Sequence, residues 1–173
     1  MSRISDTIIK SIASNLLTSQ SMLSELSSHP NPDVRFLIAG NSSTPVNILS
    51  ELGQEFPDTI IDNPIFRSLM IEEPNSRFVR LSLARSSKTA SEILAELAAT
   101  EKDDETICCA IARNPITPIV ALKSLFGWRA TEDDGDYPYI NVTREVINNP
   151  TLSVSILEEL LDRYIDVGWH EVL

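Results

Sequence analysis

Few residues of this chain have the types and spacing that chemistry needs. The histidines are His29 and His170. His29 precedes Pro30 at an expected turn, His170 lies in the C-terminal stretch DVGWHEVL, and neither adjoins a nucleophile in sequence. Cys108 and Cys109 are adjacent. A disulfide between neighbours is strained, and two thiols alone make no metal site. The expectation is one buried and one half-buried residue in a helix. Asp133, Asp134 and Asp136 in DDGD suggest calcium, but the alternating ligands and closing bidentate glutamate of a calcium-binding loop are missing. The sequence has no glycine-rich phosphate loop, no GxSxG and no zinc-ligand spacing. It therefore assigns no catalytic, cofactor-binding or metal-binding residue, and the expectation is a protein that is not an enzyme and has no cofactor.

Charge narrows the partners. The formal net charge is -11, and the 14 lysines and arginines are scattered. Such a chain should repel nucleic acid and anionic lipid, so neither is an expected partner. The N-terminal MSRISDTIIKSIASNLL has neither the apolar core nor the cleavage site of a signal peptide. No stretch reaches the ~20 apolar residues needed to span a bilayer. A soluble, reducing, cytoplasmic setting is the expectation.

One phrase recurs along the chain. Taking its threonine as position zero, the copies fall on Thr18, Thr44, Thr89 and Thr117, with Leu152 in the last. Position -5 holds Ala13, Ala39, Ala84, Ala112 and Ile147, and position -3 holds Asn15, Asn41, Ser86, Asn114 and Asn149. Position +5 holds Leu23, Leu49, Leu94, Leu122 and Leu157; position +8 holds Leu26, Leu52, Leu97, Leu125 and Leu160. The interval from Leu49 to Leu94 is too long for one unit. IDNPIFRSLMIEEP (Ile61 to Pro74) divides it, with Asn63 in the asparagine slot, Phe66 in the threonine slot, Ile71 at +5 and Pro74 at +8. That makes six units. The threonine is expected to cap the helix that follows it, with Pro45 or Pro118 in the first turn. The apolar residues at +4, +5 and +8 share one face of that helix. Before each turn lies another apolar helix, as in DVRFLIAG, SRFVRLSLAR and ETICCAIARN. Asn-Pro or Ser-Ser then stops it. Such helix pairs cannot bury their apolar faces alone, but stacked on neighbours they can.

The pattern around Ala112, Asn114, Pro115, Thr117, Pro118, Leu122 and Leu125 resembles the variant leucine-rich repeat family. HEAT-like repeats share its helix-pair logic. The likeness runs from about Ala13 to Leu160. It implies an all-α fold, a right-handed α/α superhelical solenoid of about six short repeats that alternate α- and 3₁₀-type helices. An iron–sulfur segment found in some relatives is not carried over, because its cysteines are missing. The expected organisation is a single domain, 1–173. It has an N-terminal cap at about 1–12, with Ile4, Ile8, Ile9 and Ile12 inward. Repeats follow to 160, with an insertion at 127–142. A C-terminal cap spans 161–173 and includes Tyr164, Ile165 and Trp169.

Two features could carry binding. Position +7 holds Glu25, Glu51, Glu73, Glu96 and Glu159, with Ser124 the exception. Stacked about 10 Å apart these would either solvate a helix edge or form an acidic stripe for a basic partner. The insertion GWRATEDDGDYPYINV places Trp128, Tyr137 and Tyr139 around Glu132, Asp133, Asp134 and Asp136. Aromatic residues in a solenoid insertion either anchor a partner or fold back over the stack. The expected function is a non-catalytic protein–protein scaffold or adaptor. The alternative is an accessory subunit or enzyme-like solenoid that holds a small ligand.

Overall fold

A computed structural model describes residues 3–101, 103–127 and 140–166. The chain is all-helical, and no strand occurs among the described residues. Among the described residues twelve α-helices follow in order: α1 (Arg3–Ser14), α2 (Gln20–Leu26), α3 (Pro32–Gly40), α4 (Val46–Leu52), α5 (Pro57–Asp62), α6 (Pro64–Glu72), α7 (Arg77–Arg85), α8 (Ser91–Thr100), α9 (Glu105–Arg113), α10 (Ile119–Leu125), α11 (Ile140–Ile147) and α12 (Val154–Asp166). The resemblance implies some 3₁₀-type helices, but every helix among the described residues is α. The helices form two compact units, α1–α7 and α8–α12, with the division between Ser86 and Ser87.

In the first unit α3 packs on α1, α5 on α3 and α7 on α5, while α2, α4 and α6 fit beside them. The core contains Leu23, Val34, Ile38, Leu49, Ile60, Phe66 and Val79. Phe66 meets Phe78 edge to face with ring centroids 5.8 Å apart. In the second unit α11 packs on α9, and α10 on α8. There Leu94, Ile107, Ile111, Leu122, Leu125, Val142 and Val146 are buried. Side-chain caps set the starts of α3, α7 and α9. Asn31 accepts a hydrogen bond from Asp33 N and Pro32 follows it, Ser76 accepts from Val79 N, and Asp104 accepts from Thr106 N and Ile107 N. Each satisfies a donor that the first turn leaves orphaned.

Four leucines at +5 (Leu23, Leu49, Leu94 and Leu122) are fully buried. Leu157, in the last copy, is only half-buried. The third copy corrects the register. Its helix is present as α6 and stops before Pro74. Asn63 caps α6 directly by accepting from Ile65 N, so the turn found in other copies is missing and the helix starts early. Phe66 therefore reaches the core, and Ile71, expected there, is 84% exposed. Two end positions also differ. Ile8 is 57% exposed, with Ile9 and Ile12 half-buried, because only one flank of α1 has α3 against it. Ile147, in the alanine slot, is 41% exposed. Ile140 to Val142, expected within the insertion at 127–142, lie in α11. The side chains of Ile4, Tyr164 and Ile165, and Trp169 altogether, lie outside the described residues.

Ion pairs brace neighbouring elements. Arg35 Nε donates to Glu55 at 2.8 Å, Arg113 to Glu145 at 2.7 Å and Lys123 to Glu159 at 2.7 Å. The hydrogen bond from Arg113 holds the Glu145 carboxyl below its ordinary value of 4.5.

Two outcomes follow. Leu49→Ala and Leu122→Ala should each cost about 2–5 kcal/mol in urea unfolding. Ile71→Ala should stay within about 0.5 kcal/mol; a cost like that of Leu49 would restore the original register. The Arg113–Glu145 pair makes stability pH-dependent. A carboxyl with a depressed folded pKa stabilises the fold above its unfolded value and loses that contribution as pH falls through the folded one. Melting Glu145→Gln beside the wild type below pH 4.5 should therefore show the smaller acid loss in the variant, and parallel curves would mean that the pair is inert.

Candidate functional site

Repeated polar side chains lie inside the fold, where burying such groups is costly unless each is bonded. Asn41, Asn63, Asn114 and Asn149 are all buried. Asn41 stands just past the end of α3 in extended backbone. Its Oδ1 accepts from Ser43 N at 2.8 Å, closing the turn. Its Nδ2 donates to Ala13 O at 2.8 Å and to Asn15 O at 3.0 Å, both in the preceding copy. Asn63 repeats the arrangement: Nδ2 to Ala39 O at 2.8 Å and to Asn41 O at 3.2 Å. In the second unit Asn149 Nδ2 donates to Ala112 O at 2.6 Å and to Asn114 O at 3.0 Å, and its Oδ1 accepts from Thr151 N. The acceptors are always positions -5 and -3 of the copy before. Only a carboxamide this short offers an acceptor for its own turn and two donors for a neighbour.

The threonines do a different job from the one expected. Thr18, Thr44 and Thr117 donate backward, to Ile12 O at 2.6 Å, Ile38 O at 2.7 Å and Ile111 O at 2.6 Å. They satisfy carbonyls at the end of the preceding helix. The helices that follow have Pro45 and Pro118 as N-caps, with no side-chain capping bond. A buried hydroxyl needs an inward partner, and the helix-end carbonyl supplies it. In the asparagine slot at Ser86, the hydroxyl donates to Asp58 Oδ1 at 2.6 Å.

The sequence-predicted contact residues are placed as follows. Glu25, Glu51 and Glu96 are exposed, on α2, α4 and α8. Glu73 is exposed just beyond α6, and Glu159 is half-buried and paired with Lys123. Trp128, Asp133, Asp134, Asp136, Tyr137 and Tyr139 lie outside the described residues. The flanks of their insertion are tied together, since Gly127 N donates to Thr143 Oγ1 on α11 at 3.2 Å. Gly127 has φ 73°, a left-handed conformation that glycine accommodates without strain.

The reactive residue types stay local. His29 Nδ1 accepts from Asn31 N and so closes its own turn. Cys108 and Cys109 are both buried and form no disulfide. Burial, then nearby Glu105, pushes the Cys109 thiol up, away from the thiolate that nucleophilic work requires. Among the described residues no group of three or more His, Cys, Asp or Glu could hold a metal ion, and no helix is long and apolar enough to cross a membrane. Comparison of the chain with protein-family models, with curated proteins and with solved structures finds no match.

The asparagine bonds predict a contrast within one residue type. Asn63→Ala removes the side-chain donor to buried Ala39 O and leaves Asn41 O with Thr44 N alone, and should cost about 2–4 kcal/mol. Asn15→Ala, at an exposed member of the series, should cost less than about 0.5 kcal/mol. Equal losses in chemical unfolding would show that the side chain serves only its own turn.

Proposed function

We propose that the chain is a right-handed α/α superhelical solenoid of six helix pairs, of the variant leucine-rich repeat kind. We propose further that it is a cytoplasmic, non-catalytic scaffold or adaptor that binds another protein. The observation that carries this reading is the recurring bond from a buried asparagine to positions -5 and -3 of the copy before it. Copies joined by one repeated bond give a regular support, and helical repeats present binding surfaces on such a support. The inward polar groups are occupied in making that joint, and the exposed side chains are left to meet a partner.

On this reading the partner carries a basic surface, steered by the carboxylates of a chain of net charge -11. Trp128, Tyr137 and Tyr139 of the insertion anchor it, with Asp133, Asp134 and Asp136 beside them. The stack does not require inserted residues, whereas a glutamate at +7 (Glu25, Glu51, Glu96) also serves helix solubility.

The test uses the full chain as bait in affinity capture, then measures kinetics on the recovered partner. Trp128→Ala and Tyr139→Ala should each cost about 2 kcal/mol or more, mainly as faster dissociation and with little salt dependence. Reversing charge at Glu25, Glu51 and Glu96 should slow association, and added salt should weaken the wild type. If deleting residues 131–136 leaves both folding and binding intact, the insertion is not the contact surface.

A further inference from the structure

We draw no further inference here: the strongest candidate, the exposed apolar patch of Ile116, Ile119, Val120 and Val154 at the starts of α10 and α12, carries nothing because nothing in the structure shows what covers it.

Discussion

A buried carboxamide must satisfy one acceptor and two donors, and the stacking of this chain is organised around doing so. Asn41 and Asn63 sit where a helix ends and the backbone turns, a place that leaves carbonyls and an amide unpaired. The side chain closes its own turn with Oδ1 and reaches the previous copy with Nδ2. Two bonds to two carbonyls fix distance and angle together, which apolar contact cannot do because it has no direction. Neighbouring positions follow from this. Alanine at -5 keeps the preceding helix end slim enough for an asparagine to reach its carbonyl, and Ala13, Ala39 and Ala112 are fully buried acceptors. Threonine at zero bonds back to the same helix end, and leucine at +5 fills the space beneath the following helix.

Two copies depart from the rule, and each departure has a local cause. At Ser86 the side chain has one hydrogen to donate, so it cannot bridge two carbonyls; it bonds Asp58 instead. At Asn63 the carboxamide keeps both bonds to the previous copy and also begins the next helix. The turn disappears, the helix advances, and an aromatic ring takes the space that leucine fills elsewhere. The inter-copy bond thus survives a change in the helix it precedes.

Much of this fold was legible in the sequence, because leucine at +5 and alanine at -5 recur for reasons of burial alone. The all-α class, the stop at Asn-Pro and the core roles of Leu49, Leu94 and Leu122 follow from spacing. The role of threonine did not, since a hydroxyl between two helices can face either one and only its depth decides. The inter-copy bond has one signature in the sequence. The -3 slot takes asparagine in preference to aspartate, which a simple turn would have accepted equally well. Ile71 was misplaced because counting from Asn63 assumes a turn that is not there. Of the candidate surface, the sequence identified Glu25, Glu51 and Glu96 as exposed positions, because a charge beside a core leucine has nowhere else to go.

A repeat built this way separates what holds the fold from what can vary. Positions -5, -3, zero and +5 are constrained by bonds and burial, so their residues carry little information about a partner. Position +3 is exposed in every regular copy, and it holds Ser21, Asn47, Glu92, Val120 and Ser155, which share no chemistry. Nothing in the stack depends on that position, so whatever distinguishes one copy from another is free to accumulate there and in the insertion.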